Sequence, residues 1–309
     1  MRVVYMGTPD FAVLPLNRLI EEGYEIPLVI CQPDRPRGRG KKVLPPPVKV
    51  LAEKSNIPVY QPDSKEDSRK LYHMLCDLKP DIIIVAAYGR ILPGEILNLP
   101  KLGCVNIHAS LLPRHRGAAP IQYSILSGDK ETGVTLMYMT EGMDEGDIMS
   151  QRAMAIDQKT AGELFEELTM LGADLLTDTL PHIKDGTAKR IKQDEDKATY
   201  APKITKADCK IDFGKTASEI ERQIRAMNPR PRAYAMLNEN EMKVLSAKVM
   251  ENGQTGVPGQ IKKVDREGIL IATGGGDLLV TQIQMPGKQI LDVDEYIKGN
   301  KIEIGTILG

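Results

Sequence analysis

The sequence predicts an α/β domain with a doubly wound, mostly parallel sheet, followed by a compact β domain. Short apolar runs at 2–6, 26–31, 81–86 and 103–107 are hydrophobic on successive positions, as in strands covered on both faces. Segments with helical spacing separate those runs. Beyond residue 209 the pattern changes to short strands joined by turn residues.

Taken in order, the strand 2–6 leads into a helix over 10–22, which Gly23 ends, and then into the strand 26–31. Helices follow over 47–55 and 66–78, then the strands 81–86 and 103–107, and a helix over 117–127. Two further strands, 134–139 and 148–155, precede a long helix over 160–184, opened by the capping box Thr160-x-x-Glu163. Residues 185–208 are polar and carry neither period, which makes them the linker between a domain over 1–184 and one over 209–309. Past the linker, a helix over 218–227 stops before Pro229. Strands over 242–250, 259–264, 268–273 and 278–285 come next, with hairpin turns at Asp265-Arg-Glu-Gly268 and Gly274-Gly-Gly-Asp277.

At 309 residues the chain can bury two cores. With 41 basic against 42 acidic residues, any grip on nucleic acid must come from local clusters. No Trp and three Phe argue against stacking platforms for single-stranded RNA. The four cysteines show no C-x-x-C pair, so neither a metal site nor a disulfide framework is expected. The chain starts on a short strand and no apolar run approaches the ~18 residues of a membrane span, so a cytoplasmic protein without a membrane partner is expected.

Chemistry concentrates in Cys104-Val-Asn-Ile-His-Ala-Ser-Leu-Leu-Pro113. Period two places Asn106 and His108 on one strand face, and the loop after them leaves the carboxyl end of a sheet, where open α/β folds hold ligands. Asp144, after the β-like run 134–139, adds a carboxylate. An amide donor, an imidazole and a carboxylate are what transfer of an acyl group onto an amine requires. The first turn, Gly7-Thr-Pro-Asp-Phe11, has one glycine where the dinucleotide fingerprint has three, which disfavours NAD. A loop over 33–47 crowds five basic residues into positions 35–42 without the pattern of a Walker loop. Arg37, Arg39, Lys41 and Lys42 on it suit phosphates. Arg114 and Arg116 flank the active loop and suit a phosphate or a carboxylate.

Asn106-x-His108, the loop Ser110-Leu-Leu-Pro113 and Asp144 resemble the 10-formyltetrahydrofolate-dependent formyltransferases. Gly7-Thr-Pro-Asp-Phe11, Gln32-Pro-Asp-Arg-Pro-x-Gly-Arg-Gly-Lys-Lys42, Pro47-Val-Lys-Val-Leu-Ala52 and Arg116-Gly-Ala-Ala-Pro-Ile121 resemble the branch of that family acting on methionyl-tRNA, nearly end to end. The resemblance implies transfer of formyl from 10-formyltetrahydrofolate to the α-amine of methionyl initiator tRNA. Asn106, His108 and Asp144 would be catalytic. Ser110, Leu111, Leu112 and Pro113, with Tyr88, Gly89, Arg90, Ile91 and Leu92, would border the folate. It also implies that the β domain is a small OB-like barrel and that the basic loop approaches the acceptor end of the tRNA. The charge pattern adds Lys189 and Arg190, basic residues clustered in the linker of a nearly neutral chain, and with the barrel they are expected to touch the phosphates of the tRNA stem.

Initiator tRNA and tetrahydrofolate are the implied partners, with no metal and no obligate protein partner. One departure stands out, since family members often carry Trp where Asn228-Pro-Arg-Pro231 has Arg230. Alternatives sharing the chemistry are glycinamide ribonucleotide or amino-sugar formyltransferases and a formyltetrahydrofolate hydrolase. Outside the chemistry stands a non-catalytic RNA-binding protein.

Overall fold

The computed structural model describes residues 1–37, 42–250 and 256–309. The chain folds as two units, one of residues 1–120, 132–154 and 165–200, the other of 121–131, 155–164 and 201–309.

The first unit is built on a seven-stranded sheet in the order Ile148–Ala155, Glu131–Tyr138, Cys104–His108, Ile82–Ala86, Arg2–Gly7, Glu25–Ile30, Val59–Tyr60. From Cys104–His108 to Val59–Tyr60 the neighbours pair in parallel, and Glu131–Tyr138 joins antiparallel. The central strands bury both faces, as their unbroken apolar runs require: every residue of Ile82–Ala86 is buried. Val4, Met6, Leu28, Ile30, Ile83 and Val85 pack with Leu71 and Leu75 of the helix Lys65–Leu78 in one core. Each such side chain contributes about 1.5–3 kcal/mol by leaving water.

That helix starts at Ser64, whose hydroxyl accepts from the Asp67 amide while the Asp67 carboxylate accepts from Ser64, a complete capping box. Gly7 ends the first strand where a Cβ would lie 2.6 Å from Ala12 Cβ and 3.0 Å from the Ala86 carbonyl. Only glycine lets the first turn pack so closely against the neighbouring strand end.

The second unit carries a six-stranded antiparallel sheet. Its order is Ala233–Leu237, Asn240–Met250, Asp277–Gln284, Gly268–Ala272, Ile261–Asp265, with Leu291–Asp292 beside Asp277–Gln284. The last residues link its two edges. Thr306 and Leu308 bond to Ile261 and Gly259, while Gly309 exchanges two bonds with Met236 at 2.7 and 3.2 Å. The sheet therefore closes into a small barrel, its two edge strands bridged by the tail. Ile220 and Ile224 of the helix Ala217–Ala226, capped by Thr216 and Glu219, fill its core with Val244, Ile271 and Val280. Both expected hairpin turns are present, since Asp265 pairs with Gly268 and Ala272 with Asp277. The strand Ala233–Leu237 is an addition to the sequence reading.

Candidate active site

Asn106 and His108 stand two residues apart on Cys104–His108, at the carboxyl end of a strand parallel to Ile82–Ala86. The loops 87–92 and 109–113 therefore leave the same sheet edge. Asp144 meets both side chains from the loop after Glu131–Tyr138. Its Oδ1 lies 3.4 Å from Asn106 Nδ2, and its Oδ2 lies 3.6 Å from His108 Nδ1. The Gly117 amide donates to Oδ2 at 2.9 Å. Asp144 sits in the left-handed region, at φ 53°, which Asp tolerates better than most residues. Just past it, a Cβ on Gly146 would lie 1.8 Å from the Tyr138 carbonyl, so the loop can hug the strand end only with glycine there.

His108 is 5% exposed, and its second ring nitrogen is committed: Nε2 lies 2.9 Å from the His115 carbonyl. A carbonyl only accepts, so Nε2 carries hydrogen and Nδ1 is the nitrogen that faces Asp144. His115 is buried at φ 60° and its amide donates to Thr199 Oγ1 at 2.9 Å. The long distances from Asp144 leave Asn106 Nδ2, and His108 Nδ1 when the ring carries a second proton, able to donate to a third group.

Ser110 is fully buried and its hydroxyl donates to the Arg114 carbonyl at 2.7 Å. Thr135, opposite His108 on the antiparallel strand, ties the loop down. Its hydroxyl donates to the Ser110 carbonyl at 2.7 Å and accepts from the Leu112 amide at 3.1 Å and from Gln151 Nε2 at 2.9 Å. Leu112 is buried, while Leu111 and Pro113 are half-buried. Across the edge, the carbonyl of buried Tyr88 accepts from Thr8 Oγ1 at 3.1 Å and Gln32 Nε2 at 3.2 Å. Burial pushes the Tyr88 phenol up to about 12. Gly89 follows at φ 79°. Arg90 Nε donates to Gln32 Oε1 at 3.3 Å, and its guanidinium pairs with Asp63 at 3.7 Å. Leu92 is buried, whereas Ile91 is 84% exposed.

The sequence-derived cationic set divides. Lys42 is exposed on Lys42–Leu44, which pairs antiparallel with Arg35–Arg37. Arg39 and Lys41 lie outside the described residues, as does the side chain of Arg37. Lys189 and Arg190 are exposed, and the Arg190 guanidinium stacks 3.6 Å from the Tyr138 ring centroid.

Arg116 corrects an expectation. It does not stand open beside the loop: it is 1% exposed, and its guanidinium is held by Glu195 and Gln193. The Glu195 carboxyl is kept below its ordinary value chiefly by the hydrogen bond from Arg116. Thr135, Gly117 and Gln193 are site residues that sequence reasoning missed. Thr135 alone had a usable signal, its place on a strand run beside the motif strand. Among the described residues no three His, Cys, Asp or Glu side chains gather as metal ligands would, and no helix is long and apolar enough to cross a membrane.

Residues 1–180 match the formyl transferase family and residues 203–301 match the formyl transferase C-terminal domain. Methionyl-tRNA formyltransferase of Clostridioides difficile (strain 630) is 47% identical over 310 residues, covering 100% of both chains. That of Bacillus subtilis (strain 168) is 46% identical over 310 residues, covering 100% of this chain and 98% of its own. Among solved structures, the sugar 3N-formyl transferase WlaRD, in the presence of dTDP and 5-N-formyl-THF, superposes with a TM-score of 0.69 at 22% identity. The match covers 94% of this chain and 99% of that one. The N-formyltransferase from Helicobacter canadensis, in complex with folinic acid and dTDP-3-aminofucose, gives 0.68 at 22% identity over 92% and 98%. At those identities the likeness is one of fold.

Proposed function

This chain belongs to the formyl transferase family, and we propose that it transfers a formyl group from 10-formyltetrahydrofolate to the α-amine of methionine on initiator tRNA. The observation that carries the reading is the convergence of Asn106, His108 and Asp144 at one sheet edge. It is supported by the methionyl-tRNA formyltransferases that match this chain over its full length.

In this reading the neutral amine attacks the formyl carbon, and the carbonyl oxygen becomes an anion. Asn106 Nδ2 and protonated His108 Nδ1 donate to that oxygen. One such preorganised donor lowers a barrier by about 3–4 kcal/mol. Because His108 Nε2 is anchored on the His115 carbonyl, only Nδ1 serves the reaction. Asp144 orients that nitrogen and takes the proton from the attacking amine through a water. The same proton then goes to the departing folate nitrogen, giving formylated amine and tetrahydrofolate with atoms and charge balanced.

The folate co-substrate lies between the loops 88–92 and 110–113. Ile91 and Met143, 84% and 60% exposed on segments bracketing the site, offer apolar cover for its ring. The tRNA is gripped by the basic loop at Arg37, Arg39, Lys41 and Lys42, by Lys189 and Arg190, and by the barrel. The catalytic domain over 1–184 and the tRNA-binding domain over 209–309 are joined by the segment 185–208, whose first part, to residue 200, packs with the catalytic unit. The setting is the cytoplasm.

The test is incubation with 10-formyltetrahydrofolate and one acceptor at a time: charged initiator tRNA, free methionine, glycinamide ribonucleotide, an amino-sugar nucleotide, or none. Formyl transfer to the charged tRNA alone is expected. Transfer to another acceptor, or hydrolysis without one, overturns the assignment.

A further inference from the structure

Residues 185–200 carry no periodic pattern, yet Gln193 lies at the centre of a polar chain that ends on Asp144. Its Oε1 accepts from Arg116 Nε at 3.0 Å and Nη2 at 2.8 Å. Its Nε2 donates to the Asp144 and Gly146 carbonyls, both at 2.8 Å. Arg116 completes its fork on the Glu195 carboxylate, through Nη1 at 2.9 Å and Nη2 at 2.8 Å. The residue after Arg116 is Gly117, whose amide donates to Asp144 Oδ2 at 2.9 Å. The Arg116 amide in turn donates to the Thr199 carbonyl at 2.8 Å.

Asp144 is thus fixed twice. Gln193 holds its main chain, Gly117 holds its side chain, and both restraints run back to Arg116. A buried guanidinium is tolerated only when fully paired, and Glu195 supplies the opposite charge, so Arg116 is not left to seek Asp144. The position demands a carboxamide. It must accept from Arg116 on one side and donate to two carbonyls on the other, which a carboxylate of the same shape cannot do.

We propose that Gln193 and Arg116 are positioning residues for formyl transfer: they hold the left-handed Asp144 turn so that its carboxylate faces Asn106 and His108. This rests on the reading of Asp144 as a working group. Gln193 acts through Asp144 and does not itself touch substrate.

The experiment uses the full-length protein carrying Gln193→Glu, Gln193→Ala, Asp144→Asn, or Gln193→Glu with Asp144→Asn. Turnover number, Michaelis constants for charged tRNA and 10-formyltetrahydrofolate, and thermal melting are measured for each. Gln193→Glu is expected to lower turnover about 10- to 100-fold, with both Michaelis constants within about threefold of wild type. In the Asp144→Asn background the same change should cost less than about threefold, because both act on one carboxylate.

Turnover within about twofold of wild type in both Gln193 variants, or losses that multiply in the double variant, overturns the proposal. If Gln193→Glu does not fold, Gln193→Ala carries the test, and if neither melts cooperatively Gln193 is structural and the proposal fails. Wild-type turnover in Asp144→Asn would instead bring down the reading of Asp144, and this proposal with it.

Discussion

His108 Nε2 donates to the His115 carbonyl at 2.9 Å, a bond that fixes which imidazole nitrogen can meet a substrate. Nitrogen-15 spectra of the resting protein should show Nε2 bearing hydrogen across the neutral range. A neutral ring protonated at Nδ1 would contradict the assigned geometry and require a flipped ring.

Thr135 makes three hydrogen bonds to the loop and Gln151, so Thr135→Val leaves the Ser110 carbonyl and Leu112 amide without their partner. The expected loss is about 1–3 kcal/mol, read as a lower urea midpoint. A raised Michaelis constant for the folate co-substrate should accompany it, because the loop 110–113 is freed. An unchanged midpoint would mean that water or another side chain replaces the hydroxyl.

Glu195 gives a pH signature. Its carboxyl is held low chiefly by the hydrogen bond from Arg116, so the fold favours its ionised form. The stability it adds is fully present above the unfolded value of about 4.3 and is lost as pH falls through the lower folded value. The gap in melting temperature between wild type and Glu195→Gln should be constant at neutral pH and close in acid. A gap that stays constant into acid would show that the charge on Glu195 is not its source.

Lys189 and Arg190 are exposed beside the Gln193 segment, and Arg190 stacks on Tyr138. Lys189→Glu with Arg190→Glu should weaken charged-tRNA binding and flatten its salt dependence, by roughly 0.7–0.9 in slope for each phosphate that the protein no longer neutralises. Folate binding should not change. An unaltered slope would remove both residues from the tRNA footprint.

Local pattern revealed the strands and the face shared by Asn106 and His108, because period two is a property of the strand alone. The order in residues 185–200 was not legible. It comes from bonds that span the chain, such as Arg116 to Glu195, 79 residues apart, and Gln193 to Asp144, 49 apart. Arg116 misled for the same reason, since a lone arginine reads as exposed until its partners are known. The strand Ala233–Leu237 hid behind Pro229 and Pro231, and its pairing with Asn240–Met250 and with Gly309 gives it order that five residues do not announce.

Single-turnover formylation of charged initiator tRNA by wild type and by His108→Ala, with tRNA and folate binding measured alongside, isolates the part that the imidazole plays in the chemical step. The rate is expected to fall by at least ~100-fold with both bindings retained, because the imidazole serves the transition state and not the ground state. A variant that keeps more than about a third of the wild-type rate would contradict it, since removing a donor from the oxyanion could not cost so little.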